Sequence, residues 1–293
     1  MHKAVITASS FLWKKAENNP ILEKMKVHLH TELHDYLTPA DAMQLYKNRL
    51  VDSEVLYGTV VNVIAEVGEF SQVEVIDQTS KDNKGYLGYI STADLIEVDD
   101  HYGQAAVQIA LITAAADLTF AAGQRRKISF GTVLDLVDET ASEYQVNTPT
   151  GIAYLKKKDC QKTNSFAGRK VTANMIQLAE QFMDLPYVWA GISGQGFDCS
   201  GFVYSLHRVN GILIPRDADD QAVCGKRLTY EKAQAGDLLF FAYEEGKGFV
   251  HHVGLYLGND EMIHSQTPGS KVIKTKITGS KYEPELAAVS RFW

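Results

Sequence analysis

Of the three cysteines in this 293-residue chain, Cys199 stands where a thiol can act as a nucleophile. It follows Asp198, and Phe202, Val203, Leu206 and Val209 recur behind it at helical offsets. That spacing puts Cys199 in the first turn of a helix for which Asp198 is a suitable cap. The positive end of the helix dipole favours thiolate there and is expected to lower the thiol pKa from about 8.5. A lone cysteine on a half-apolar helix is more often a small core residue, and the histidines decide against that here. Along 250–257 the alternation sets His252 away from the aliphatic face formed by Val253, Leu255 and Leu257, and a hairpin centred on Gly258 brings His252 opposite His264. Thiol, imidazole and second imidazole then form nucleophile, base and orienter, the arrangement of acyl transfer. By the same parity His251 faces the aliphatic side and is given no role. Cys160, in a lysine-rich stretch, and Cys224, in an Ala-Val-Cys-Gly run, have no neighbouring histidine signal, and no cysteine or histidine spacing suits zinc.

The elements that must position these residues belong to an α+β unit. After a polar linker (161–170), Ile176, Ala179, Phe182 and Met183 repeat at helical spacing until Pro186, and a loop with Gly191, Gly194 and Gly196 leads to Cys199. The stretches DLLFFAY, VHHVGLYLG and EMIHSQ read as successive antiparallel strands. Upstream, 4–8, 55–65, 71–77 and 86–91 read as short strands between turn residues, interrupted by a helix over 38–50 with Thr38 as cap and Pro39 at its first position. GTVLDLVDET and SEYQVNTPTGIAYLKKKDC continue the strand pattern. The chain thus divides into two small β-barrels, 1–98 and 99–165, and an α+β domain, 166–293.

Bulk properties narrow the function. With 45% hydrophobic and 22% charged residues the chain is globular, and a net charge of -7 with scattered Lys and Arg leaves no basic footprint for nucleic acid or an anionic membrane. Three cysteines are too few for a disulfide framework. The first twenty residues lack the apolar core of a signal peptide and no 18-residue apolar run occurs, so a cytoplasmic location is expected.

The motifs LPYVWAG, FDCSGFVYSLHRVNGILIPRDADDQ, AGDLLFF and VHHVGLYLGNDEMIHS, in that order, resemble the papain-like NlpC/p60 cysteine peptidases over 171–293. The first half is similar to the paired bacterial SH3-like barrels that precede this domain in γ-D-glutamyl-L-diamino-acid endopeptidases of the YkfC type. The resemblance implies release of L-Ala-γ-D-Glu from murein peptides that carry a free N-terminal L-alanine and continue with L-lysine or diaminopimelate, without metal or cofactor. By motif it makes Cys199 the nucleophile, His252 the base and His264 the orienter. It places Tyr187 near the oxyanion, Trp189 along the groove, and Asp198, Ser200, Asp217 and Ala218 at substrate contacts. Ala218 stands where the family pattern has serine, so a hydroxyl is missing there. In the first barrel the resemblance gives Tyr86 and Asp52 to the substrate amine, with Asp52 one methylene shorter than the family glutamate. Rival readings are a hydrolase of intact peptidoglycan, an inert wall-peptide-binding module, and a related transferase or amidase.

Overall fold

The computed structural model describes residues 2–28 and 37–293. Its first unit comprises β1 (His2–Val5), β2 (Ser9–Trp13), α1 (Pro20–His28), α2 (Pro39–Lys47), β3 (Val51–Leu56), β4 (Val60–Val67), β5 (Phe70–Thr79), β6 (Gly85–Ser91) and β7 (Leu95–Glu97). The strands form one antiparallel sheet in the order β3-β2-β6-β5-β4-β1-β7. The segment 55–65, expected as a single strand, breaks at Gly58, whose φ of +81° turns the chain between β3 and β4. All five residues of β2 are buried, because Leu12 packs inside the sheet with Val5, Val55 and Val61 while Phe11 and Trp13 pack outside it under Ile21, Leu22, Met25 and Leu45 of the two helices. Those helices are inserted between β2 and β3, and α1 was not legible in the sequence. α2 carries a capping box, in which Thr38 Oγ1 accepts from the Asp41 N–H at 3.2 Å and Asp41 Oδ2 accepts from the Thr38 N–H at 3.1 Å.

The second unit repeats the arrangement with β8 (Gln108–Leu111), β9 (Ala115–Phe120), β10 (Arg125–Ser129), β11 (Val133–Glu139), β12 (Glu143–Thr148), β13 (Gly151–Lys156) and β14 (Cys160–Lys162), in the order β10-β9-β13-β12-β11-β8-β14. Both sheets run from one edge strand to another, β3 to β7 and β10 to β14, so they are curled open sheets rather than the closed barrels expected.

The third unit opens with α3 (Arg169–Glu180). The hairpin β15 (Ile192–Ser193) and β16 (Gly196–Phe197) then delivers the chain to α4 (Cys199–Arg208) and α5 (Ala218–Val223). A six-stranded sheet follows, made of β17 (Lys226–Leu228), β18 (Leu238–Ala242), β19 (Val250–Gly258), β20 (Glu261–Ser265), β21 (Val272–Lys276) and β22 (Leu286–Arg291), in the order β17-β22-β18-β19-β20-β21. α4 packs on β19 and β20 through Phe202, Val203 and Leu206. Leu56, Ala110 and Phe130 from the first two units enter this same core, where the Phe130, Phe182 and Phe197 rings lie 4.7–6.0 Å apart in edge-on contacts. The units are therefore joined by a shared apolar interior. No helix among the described residues is long and apolar enough to cross a membrane.

Candidate active site

Cys199 is the first residue of α4, and Asp198 caps that helix by accepting the Gly201 N–H at 2.6 Å. The cap is held by Arg216, which is fully buried. Its Nη2 lies 2.7 Å from Asp198 Oδ2, and it also donates to Ser200 Oγ, the Ala190 carbonyl and Ser53 Oγ of β3. This bidentate pair fixes the nucleophile's turn and ties it to the first sheet. The half-buried thiol lies in a cavity of about 540 Å³. Burial, with the Asp198 carboxylate adding to it, pushes the thiol up to about 12, opposite to the lowering expected from the helix dipole. The N–H groups of Ser200 and Val253 act the other way but are outweighed. Burial also holds His252 well below the usual imidazole range, helped by the neighbouring His264 and His251 and by Lys281. The resting pair is thus thiol and neutral imidazole. Thiolate forms together with imidazolium, as a pair whose mutual attraction offsets what each charge loses on leaving water.

The two histidines meet as the chemistry needs, though not by the register expected. The hairpin turns through Asn259 and Asp260, both left-handed at φ +50° and +64°, and pairs Leu255 with Ile263 and Tyr256 with Met262. His264 therefore lies beside Gly254 rather than opposite His252; a side chain at 254 would collide with Met262 and press on His264. The imidazoles meet diagonally, His252 Nε2 to His264 Nδ1 at 2.7 Å, and His264 Nε2 lies 2.8 Å from Thr275 Oγ1. For the Nδ1 of His252 to take the thiol proton, its Nε2–H donates to His264 Nδ1, and His264 Nε2–H donates to Thr275. The relay assigns both tautomers.

His251 departs from the parity reading. The pairing of β18 with β19 shifts between Phe241–His252 and Ala242–Val250, so His251 is the extra residue of a bulge and lines the cavity beside His252. Its ring stacks on Tyr243 at 4.0 Å, and its Nε2 lies 3.4 Å from Glu285 Oε2.

The opposite wall comes from the first unit. Tyr86 of β6 donates its hydroxyl to Asp217 Oδ2 at 2.8 Å, and burial pushes Asp217 up to about 6 although Arg216 and Tyr86 pull it down. Asp52 lines the cavity, but its carboxylate is paired with Lys14 at 2.9 Å and about one-third exposed, so it is not enclosed as expected. Trp189 donates to the Val51 carbonyl at 2.9 Å, and Tyr187 is buried beside the thiol with its hydroxyl held protonated by that burial. Ala218 and Ser200 complete the lining; the Ser200 hydroxyl donates to Asp198 at 3.2 Å. All the sequence-selected residues except His264 line this one cavity, and His264 stands behind His252. Cys160 is buried in the second sheet and Cys224 lies outside the cavity.

A model of the NlpC/P60 family matches residues 184–291, and one for the YKFC SH3b2 domain matches 115–162. The γ-D-glutamyl-L-lysine dipeptidyl-peptidase of Bacillus subtilis (strain 168) is 38% identical over 296 residues, covering 99% of each chain. The chain belongs to the NlpC/P60 family. Dipeptidyl-peptidase 6 of Lysinibacillus sphaericus is 30% identical, covering 76% of this chain and 82% of the relative. The crystal structure of an NlpC/P60 family protein from Bacillus cereus ATCC 10987 superposes with a TM-score of 0.88 at 29% identity, covering all of this chain and 99% of that one.

Tyr282 and Arg216 are among the residues of this NlpC/P60 site that escaped sequence reasoning. Tyr282, in the loop before β22, stacks on His252 with centroids 5.2 Å apart and planes 22° apart, and stands edge-on to His264. A π face beside the base favours its protonated form, but a tyrosine in a turn-rich segment carries no signal of that role. Arg216 had one, since it follows Ile-Pro in a quoted motif. Its partner Asp198 is the helix cap the sequence suggests, and the same carboxylate, placed by the resemblance at a substrate contact, lines the cavity while paired with the arginine.

Proposed function

We propose that this chain is a cysteine peptidase that hydrolyses the γ-D-glutamyl-L-diamino-acid bond of murein peptides with a free N-terminal L-alanine, releasing L-Ala-γ-D-Glu. The observation that carries the reading is one cavity with the Cys199 thiol and the His252–His264–Thr275 relay on one side and the Tyr86–Asp217 pair on the other. Curated relatives that match across most of this chain are named γ-D-glutamyl-L-lysine dipeptidyl-peptidases, which supports the same substrate. Cys199 passes its proton to His252 as sulfur bonds to the γ-carbonyl carbon; the C–N bond then breaks and His252 returns the proton to the departing amine. Water next attacks the thioester, giving a proton to His252, and the sulfur leaves and is reprotonated. The substrate's ammonium is received by Asp217, whose charge the Tyr86 hydroxyl supports, and by Asp52 once Lys14 gives way. A cytoplasmic site of action, on peptide fragments, is part of this proposal.

The test is incubation with L-Ala-γ-D-Glu-L-Lys and its diaminopimelate analogue, with products identified by mass. Release of L-Ala-γ-D-Glu from either is expected. Hydrolysis of intact peptidoglycan with neither tripeptide cleaved would sink the reading.

A further inference from the structure

We propose that Arg49 reads the free α-carboxylate that a γ-linked glutamate carries, so that the enzyme distinguishes D-glutamate from its α-amide at the residue whose γ-carbonyl Cys199 attacks. The inference rests on the murein-peptide reading above and deepens it.

Arg49 lies just past α2, after the cap residue Asn48, with φ +48°. Its N–H donates to the Tyr46 carbonyl at 3.2 Å, and the Leu50 N–H donates to the Leu45 carbonyl at 3.2 Å. That is the left-handed closing position of a helix, where glycine or asparagine is at home and a longer side chain is strained. Strain of this kind persists where surrounding structure enforces it, often at ligand sites. The enforcing contact is visible. The guanidinium carbon sits 4.1 Å from the Trp189 ring centroid and 4.7 Å from that of Tyr46, with the two rings 5.2 Å apart. Trp189 is fixed in turn by its hydrogen bond to Val51, and all three side chains line the catalytic cavity. Stacking uses the face of a guanidinium and leaves its N–H edge for a planar anion.

No carboxylate pairs with Arg49 among the described residues, whereas most other donors near the cleft are engaged. Arg216 is enclosed by Asp198, Ser200, Ala190 and Ser53. Lys14 is on Asp52, the Ser200 hydroxyl donates to Asp198, and Ala218 has no hydroxyl. Lys281 stands over Tyr282, at the end of the cavity that holds the base. In a γ-linked peptide the α-carboxylate sits on the same carbon as the D-glutamyl nitrogen that L-alanine acylates, and that carbon is separated from the scissile carbonyl by two methylenes. It therefore belongs near the wall that receives the amine. Arg49 is on that wall, three residues before Asp52.

The experiment compares L-Ala-γ-D-Glu-L-Lys with the peptide bearing an α-amide on the D-glutamyl residue, by kcat/KM on the active enzyme and by calorimetric binding to Cys199→Ala. A charged hydrogen bond contributes enough that the acid should be favoured at least about tenfold, chiefly through KM. Arg49→Gly should erase the preference without lowering the melting temperature, because glycine suits the left-handed backbone. Arg49→Lys should restore part of it. A preference unchanged in Arg49→Gly, or lost in Lys281→Ala instead, overturns the assignment. Should neither peptide be cleaved while Cys199→Ala still binds the acid in preference and Arg49→Gly abolishes that, the functional reading fails and Arg49 keeps its role. Equal binding of acid and amide removes Arg49 whatever the turnover.

Discussion

The first and second units are built on the same strand order, each strand of the first matched by one seven places later in the second, yet only the first reaches the substrate cleft. They differ most at one connection. In the second unit β9 passes to β10 through a tight turn at 121–124, closed by the Phe120 N–H to the Gln124 carbonyl at 2.9 Å. In the first, the equivalent connection between β2 and β3 holds both α helices, and its end presents Tyr46 and Arg49 to the cavity beside Asp52 of β3. What the second sheet offers the third unit is support: Phe130 in the common core, the Ser129 hydroxyl accepting the Gly194 N–H at 2.9 Å, and the Gly131 carbonyl accepting from Arg208. One fold thus serves as a substrate wall or as a buttress, the helical insertion adding Tyr46 and Arg49 to a wall that Tyr86 of β6 and Asp52 of β3 also line, as expected when function lives in what is grafted onto a scaffold.

The largest effect expected concerns the reacting group on which both roles depend. Cys199→Ala should abolish turnover with the fold intact, and His252→Ala should come close to it, while Cys160→Ala, in the second sheet, and Cys224→Ala retain activity. Steady-state assays on purified variants check this, and a dead Cys160 or Cys224 variant with an active Cys199 variant would reassign the nucleophile.

The next effect isolates the first unit. Acetylating the substrate amine removes the charge proposed to rest on Asp217 and Asp52 and would leave a carboxylate without its partner, a loss of about 2 to 5 kcal/mol. Cleavage should fall at least about tenfold. Tyr86→Phe, which takes the hydroxyl from Asp217, should narrow the gap between free and blocked peptides. The contrast between the sheets breaks if the two peptides are cleaved at comparable rates.

Much of this site was legible because its parts are local. A cap before a cysteine and an apolar stripe behind it define a helix start whatever the rest of the chain does, and quoted motifs located Tyr187, Trp189 and Asp217. What escaped depended on backbone irregularity or on contacts distant in sequence. The bulge that turns His251 into the cavity, and the Asn259–Asp260 turn that puts the two histidines on a diagonal, each change register by a residue that alternation does not reveal. The pairing of Lys14 with Asp52, 38 positions apart, follows from the packing of β2 beside β3 at a register shift. The expected thiol pKa failed for a related reason, since the helix dipole is a local property and burial is not.

A third effect tests the second unit as a buttress. Phe130 is fully buried against Phe182 and Phe197, so Phe130→Ala should cost about 3 to 5 kcal/mol of stability. The melting temperature should drop, while the ratio of rates on free and acetylated tripeptide stays unchanged in the folded fraction. A shift in that ratio would mean that the second sheet also shapes the cleft.

The smallest effect is a pH dependence belonging to the first wall alone. Asp217 faces Arg216, Tyr86, Asp198 and Asp219, and burial sets its pKa at about 6. Above that value it is charged and receives the substrate ammonium; below it the carboxyl is neutral and the attraction is lost. Neither imidazole of the relay places a limb there, because burial holds His252 well below its ordinary range and brings His264 down to about 3. The kcat/KM for the free-amine tripeptide should therefore fall towards acid pH through about 6, by up to about tenfold per unit, and the acetylated peptide should not fall with it, because protonating Asp217 there relieves the unpartnered carboxylate. Asp217→Asn keeps an acceptor for the Tyr86 hydroxyl but has no charge to lose, so it should start from a lower rate and show a flat profile between pH 5 and 7. A limb near 6 that survives in Asp217→Asn, or appears equally with the acetylated peptide, would transfer the titration to the catalytic side of the cleft.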